Sequence, residues 1–235
     1  MASHELKTPL TSLKGYIQLL SQIALPEPGK LYIERASSSL NKLQNLINDL
    51  LDVSKIKAGK LKFDTVVFDL SRLVQLCIDN SRYIYPAYEI KGEVEKDIMI
   101  NGNEERLEQV VMNLINNAVK YSPLNKQIIV SATKDHDNAT VGVIDFGLGL
   151  SAADQTKIFD RFYRVENDGM NISGLGMGLY ISSEIIKEHN GTISVKSKLK
   201  KVLYFRFHYR WLRLSLNPSQ GRGLKFSVAS LFRIW

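Results

Sequence analysis

Between residues 3 and 57 the apolar positions fall at alternating intervals of four and three. Leu6, Leu10, Leu13, Ile17, Leu20 and Ala24 form one such row; Ile33, Ala36, Leu40, Leu43, Ile47 and Leu50 form a second. This spacing keeps one face of an α-helix apolar turn after turn, as in the seam of a bundled helix. Pro26-Glu27-Pro28-Gly29 separates the rows, a cluster that ends one helix and opens the next. The pattern predicts helices over 3–24 and 30–57, folded back on each other as an antiparallel hairpin. Two helices bury little by themselves, so the seam predicts a homodimer through residues 3–57, a four-helix bundle.

From about Leu61 the pattern changes to short apolar runs alternating with helical ones. Val66–Leu70, Ile98–Ile100, Ile128–Ala132, Thr140–Ile144 and Thr192–Ser197 read as strands. Residues 103–121 and 182–188 read as helices, and Asp135–Asn138 as a turn between two strands. This order predicts an α/β sandwich with an antiparallel-looking sheet. The domains expected are a helical hairpin over 1–58, an α/β domain over 61–211 and a tail over 212–235.

Candidate chemistry lies in both parts. His4 stands two residues before Leu6, about 200° around the helix, and so faces water. Glu5 can take a proton from one ring nitrogen and leave the other as a nucleophile. Thr8 lies one turn on along the same face, and Pro9 removes a backbone donor beside it and favours a bend. In the second part Asn113 and Asn117, at i and i+4, share one helical face and present amide oxygens of the kind Mg²⁺ accepts. Asp145-Phe-Gly-Leu-Gly149 follows a strand, where a carboxylate can accept from an exocyclic amine and glycines let the backbone approach a flat base. Phe159-Asp-Arg-Phe-Tyr-Arg164 mixes aromatic rings with two guanidiniums. Gly174-Leu-Gly-Met-Gly-Leu179 leads into a helix whose free amides suit phosphate.

Ser3-His4-Glu5-Leu6-Lys7-Thr8-Pro9-Leu10 resembles the H-box of sensor histidine kinases of the dimerisation and histidine-phosphotransfer type. The four later segments, in this order, resemble the N, G1, F and G2 boxes of their ATP-binding domain, akin to gyrase, MutL and the heat-shock chaperones. Together the matches cover roughly residues 3–197. The resemblance implies that His4 takes the γ-phosphoryl group of ATP and passes it to an aspartate on the receiver domain of a response regulator. It makes Glu5 the acid/base partner and Thr8 a residue of the reverse, phosphatase reaction. It implies Asn117 as the Mg²⁺ ligand, Asn113 and Lys120 near the phosphates, and Tyr121 beside the nucleotide. Asp145 would hold the adenine amino group, with Gly147 and Gly149 as pocket wall. Gly174, Gly176 and Gly178 would close the phosphate side ahead of Leu179. Phe159–Ser173, with Arg161 and Arg164, would form a mobile lid. Met177 stands where leucine is common, a volume-conserving change.

Hydrolytic relatives in that superfamily carry a glutamate where Asn113 stands. An amide cannot act as a general base near neutral pH, so water is a poor attacker here and a positioned imidazole wins. The competing reading is a truncated, catalytically impaired fragment that only binds ATP or dimerises, because His4 lies three residues from the start.

The formal net charge of +7 does not point to nucleic acid. Ten Lys and Arg residues and no acid lie from Lys196 onward, and removing them from the 31 basic residues leaves 21 against 24 acids. Nucleic-acid binders place their charge on a folded face, so no nucleic-acid partner is expected. One cysteine, Cys77, excludes an intrachain disulfide and suits a reducing compartment. No apolar run reaches the roughly 18 residues of a membrane helix. The fragment is expected in the cytoplasm, with room for a parent chain held at the inner face of the plasma membrane by a preceding segment.

Members of the family usually end on a Gly-Ser turn and a strand closing near Leu-Pro-Leu. Here the chain reads Lys200-Lys-Val-Leu-Tyr-Phe-Arg-Phe-His-Tyr-Arg-Trp211. Read from the third base of each codon, permitted codons for residues 201–212 spell Gly-Ser-Ile-Phe-Ser-Phe-Ser-Leu-Pro-Leu-Ala. The expectation is that the chain is out of frame after about Lys200 and disordered beyond Trp211. Leu203, Phe205, Phe207, Tyr209 and Trp211 nonetheless alternate with Tyr204, Arg206, His208 and Arg210, the period of a half-buried strand.

Overall fold

The structure is a computed structural model describing residues 2–23, 26–61, 63–135, 138–165, 175–197 and 203–210; for 2–7, 203 and 210 it describes the backbone alone. Two long helices come first, α1 (Ala2–Ser21), which contains Pro9, and α2 (Glu27–Lys57). Helix α2 starts three residues earlier than the apolar rows predict. Pro26 is its N-cap and Pro28 falls in the first turn, where a missing N–H is tolerated. The two helices pack on each other, with Leu10 and Leu40 buried. Leu13, Leu20, Leu43 and Leu50, from the same rows, are 45–51% exposed. One chain covers only part of its own seam.

The second part contains a two-stranded antiparallel ribbon of β1 (Val66–Asp69) and β3 (Met99–Gly102). Its main sheet has the order β2 (Glu89–Val94), β4 (Gln127–Asp135), β5 (Asn138–Asp145), β7 (Leu203–Arg210), β6 (Thr192–Ser197). The β2–β4 pair is parallel and the others antiparallel, so the sheet is mixed rather than uniformly antiparallel. Helices α3 (Leu70–Ile84), α4 (Glu104–Tyr121) and α6 (Gly178–Glu188) pack against this sheet. A short α5 (Ala152–Lys157) follows β5.

The helices form where the periodicity and caps dictate. Leu70, Leu73, Val74, Cys77 and Ile78 recur every three or four residues on α3 and are all buried. Burial pushes the Cys77 thiol up to about 12, so it acts as a small apolar side chain. On α4 the buried stripe is Leu107, Val110, Val111, Leu114, Ile115 and Ala118. Asn103 caps α4 by accepting the Arg106 amide at 3.0 Å. Strand β7 follows the alternation expected of it: Phe205, Phe207 and Tyr209 are buried, whereas Tyr204, Arg206 and His208 are partly exposed. Trp211 and residues 212–235, with the expectations for the tail, lie outside the described residues. No helix among the described residues is long and apolar enough to cross a membrane.

The end of α2 is joined to the second part. Val53 and Leu61 belong to its apolar core. Asp52 accepts from Arg106 Nη1 at 2.8 Å and from Gln109 Nε2 at 3.1 Å, and both residues lie on the first turns of α4. The Asp52 and Arg106 side chains are 9% and 22% exposed. One turn earlier Asp49 is pushed up to about 6, by burial first and then by the Asp52 charge. Losing Arg106 would leave the buried Asp52 carboxylate without its guanidinium, so Arg106→Gln is expected to cost roughly 2 kcal/mol. The charge-exchanged pair Asp52→Arg/Arg106→Asp should recover at least half of that loss in urea melts; no recovery would show that the pair does not act directly.

Candidate active site

Strand β5 ends at Asp145, which is 2% exposed. Burial pushes its carboxyl up to about 6, and the Gly147 amide, donating to Oδ1 at 3.0 Å, opposes that shift. The turn after Asp145 lies against the end of α4, where the Leu148 amide donates to the Tyr121 carbonyl at 3.2 Å. A Cβ on Gly147 would collide with that carbonyl, so the close approach requires glycine.

These contacts frame a cleft that is open to solvent. Its apolar wall comes from Leu150, Ile158, Val165, Leu179 and Phe205. Asn117, Tyr121, Gly149, Tyr163, Arg164 and the buried Asp145 also line it. Such a mix suits a flat apolar ligand carrying one donor for a carboxylate. Lys120 stands next to Tyr121, its Nζ 5.4 Å from the ring centroid. Its pKa is lowered, first by burial and then by the positive charge of Arg164. The two positive charges are thus close enough to disfavour each other.

The aromatic and glycine segments are tied together below this cleft. Ser151 and Asp154 form a capping box at α5, and Asp154 Oδ1 accepts the Tyr163 hydroxyl at 2.7 Å. The Ser151 and Tyr163 hydroxyls lower the Asp154 pKa, so the carboxylate stays charged and the segment stays pinned. The Phe162 amide donates to the Gly176 carbonyl at 3.0 Å.

Several expected site residues are brought together here: Asn117, Tyr121, Asp145, Gly149, Arg164 and Leu179. Others sit nearby in different roles. Phe159 packs edge-on against Phe205, with ring centroids 6.4 Å apart, and belongs to the core behind the wall. Arg161 lies over the Phe162 ring at 4.7 Å and is not part of the cleft wall. Asn113 donates to Ser182 Oγ at 2.9 Å instead of lining the cleft. Met177 is buried in the core. Gly174 and most of the expected lid lie outside the described residues. His4, Glu5 and Thr8 are on α1, and Thr8 is exposed. Tyr163 and Val165 fall within the segment expected as a lid, whereas Leu150, Ile158 and Phe205 carry no motif, because an apolar wall assembled from separate segments leaves none.

The family model described as "Histidine kinase-, DNA gyrase B-, and HSP90-like ATPase" matches residues 102–229, more than half of the chain. That of the "His Kinase A (phospho-acceptor) domain" matches residues 1–59. The chain belongs to the sensor histidine kinases. Among kinases of this kind it is 29% identical over 215 residues to the signal transduction histidine-protein kinase ArlS of Staphylococcus haemolyticus, covering 89% of this chain and 47% of that one. It is 32% identical over 207 residues to the sensor protein GacS of Pseudomonas syringae, covering 83% and 22%. Among solved structures, full-length ShkA in complex with AMPPNP superposes with a TM-score of 0.73 at 25% identity, covering 94% of this chain and 48% of that one. The Acinetobacter baumannii histidine kinase AdeS shares the fold, with a TM-score of 0.62 at 22% identity over 89% and 98%. The chain spans about half or less of the length of these two curated relatives.

The cleft suits an adenine nucleotide, as the matched ATPase family model implies. Asp145 offers a carboxylate between apolar walls, and Arg164 lines the cleft with its positive charge close to that of Lys120. Among the described residues no group of three His, Cys, Asp or Glu side chains could hold a metal by itself. A metal would then rely on nucleotide phosphate oxygens together with the amide oxygen of Asn117. That donor set suits Mg²⁺, which keeps its waters and takes few protein ligands.

Proposed function

We propose that the chain binds Mg-ATP in this cleft, phosphorylates His4 and passes the group to an aspartate of a response-regulator receiver domain. The observation behind this reading is a buried, desolvated Asp145 in a largely apolar cleft, in the same chain as a helix bearing His4-Glu5. One imidazole nitrogen attacks the γ-phosphorus, a P–N bond forms as the bond to ADP breaks, and Glu5 takes the proton from the other nitrogen. Mg²⁺, held by Asn117, would neutralise the phosphate charge during transfer. Asp145 would orient the adenine by accepting its amino hydrogen, and Arg164 and Lys120 would attract the phosphates. The exposed half of the hairpin seam supports pairing with a second copy of the chain.

Incubation with γ-labelled ATP and Mg²⁺ tests the proposal. Label on His4 is lost in acid and survives alkali; label with the opposite stabilities would place the phosphoryl group on serine or threonine and refute the assignment. Asn117→Asp is expected to lower the rate of labelling at least tenfold with an unchanged far-ultraviolet spectrum. The added carboxylate faces the phosphates and alters the metal's ligand set. Normal labelling by that variant would remove Asn117 from the site.

A further inference from the structure

Asn113 and Asn117 share one face of α4, but they are used differently. Asn117 lines the cleft, whereas the amide of Asn113 is taken up by α6. Its Nδ2 donates to Ser182 Oγ at 2.9 Å, and its Oδ1 lies where a Cβ on Gly178 would approach to 2.5 Å. Gly178 and Ser182 are four residues apart, so they stack on one face of α6 and form a socket one turn long. Ser182 is 2% exposed, which leaves water little access to replace the bond. The Asn113 amide is therefore bonded to α6 through Nδ2 and packed against it at Gly178 through Oδ1.

The position of this socket gives it a consequence. Tyr121, beside the Asp145 turn, marks the base end of the cleft. Asn113 stands eight residues earlier, about 12 Å along the axis of α4, and so lies toward the phosphate end. Leu179, next to Gly178, is part of the cleft wall. The separation between α4 and the first turn of α6 at that end is set by the filled socket. Without the Ser182 acceptor, Nδ2 must find another partner, and the Asn113 side chain has to leave the socket to reach one.

We infer that Ser182 is a positioning residue of the nucleotide site: by holding Asn113 against Gly178 it fixes the spacing of α4 and α6 around the phosphates. This rests on the proposed ATP reading. Asn113 then acts through packing between two helices and not as a ligand of phosphate or metal.

The test is a double-mutant cycle of Ser182→Ala and Asn113→Ala, read by calorimetric titration with ATP, ADP and AMP in the absence of metal, alongside the melting temperature. Ser182→Ala is expected to weaken ATP about fivefold and leave AMP within twofold, because only the phosphate end is disturbed. Asn113→Ala should match it, and the double variant should lose no more than either single one, as for two halves of one contact. Equal weakening of AMP and ATP would reduce the pair to a structural role and overturn the inference. An Asn113→Ala loss far larger than that of Ser182→Ala would make Asn113 a direct ligand and overturn it too. If Ser182→Ala does not fold, Ser182→Cys, which keeps the volume and weakens the acceptor, serves in the same cycle. An unmodified protein that bound no adenine nucleotide would instead refute the ATP reading itself.

Discussion

Replacing His4 by glutamine is expected to abolish acid-labile, alkali-stable labelling from γ-labelled ATP while leaving ATP affinity within about twofold. Glutamine approximates the polarity and size of the ring, so α1 should persist, but its amide is not a usable nucleophile near neutral pH. Affinity should hold because the cleft is built by α4, α6, β5, β7 and the segments on either side of α5, none of which includes α1. The hairpin reaches the second part through α2 and not α1: Asp52 meets Arg106 and Gln109 on the first turns of α4, and α2 also packs on α6. Asn117 lies eleven residues beyond Arg106, about 16 Å along that helix. A local change at His4 is thus insulated from nucleotide contacts. The comparison is labelling set against calorimetric titration on one preparation. A loss of ATP affinity above tenfold would break the division of labour between the two parts. Persistent acid-labile label would move the acceptor to another side chain.

The hairpin was readable because its information is local: a four-three apolar spacing survives whatever the rest of the chain does. Even so, Pro26 and Pro28 marked the start of α2 more closely than the apolar rows did. Helix α3 is equally local in origin, since Leu70, Leu73, Val74, Cys77 and Ile78 recur at helical spacing, although no chemical motif marks it. Strand β2 carried little signal. Glu89-Ile-Lys-Gly-Glu-Val is an edge strand with three charged residues, held by parallel pairing to β4, and that partner lies more than thirty residues further on.

Within the site, the polar residues lining the cleft were marked by motifs, and most of the apolar ones were not. Phe205 reaches the wall only because β7 pairs with β5 and sets it opposite Val143. Ile158, Val165 and Leu150 come from three other positions around α5. Asn113 shows the limit of the same-face rule. Helical geometry places it beside Asn117, but Ser182, 69 residues away in sequence, captures its amide. Competition of that kind is tertiary, and no spacing within α4 announces it.

Asp145→Asn is expected to move stability and ligand binding in opposite directions. The carboxyl is pushed from an ordinary value of 3.8 up to about 6, chiefly by burial. A group whose pKa is raised by folding contributes stability that is complete below its unfolded pKa and is lost as pH rises through the folded one. Above pH 6 the folded protein therefore carries an ionised, desolvated carboxylate. Asparagine is neutral at every pH, and its Oδ1 can still accept the Gly147 amide. Without nucleotide, the variant should be more stable than the unmodified protein by roughly 1–3 kcal/mol at pH 7.5, and the gain should vanish as pH falls toward 4. ATP should suffer. The carboxylate is proposed to accept from the adenine amine, and an amide that presents its own donor there leaves two donors facing each other. A buried mismatch of this sort costs about 1–3 kcal/mol, a loss of roughly five- to hundredfold in affinity. GTP, with a carbonyl in place of that amine, should bind poorly to the unmodified protein and lose less, or gain, in the variant. Urea melts between pH 4 and 7.5 and titrations with both nucleotides examine the two halves separately. A stability gain that does not depend on pH would mean that burial does not strain the carboxylate, and equal affinities for ATP and GTP in the unmodified protein would remove Asp145 from base recognition.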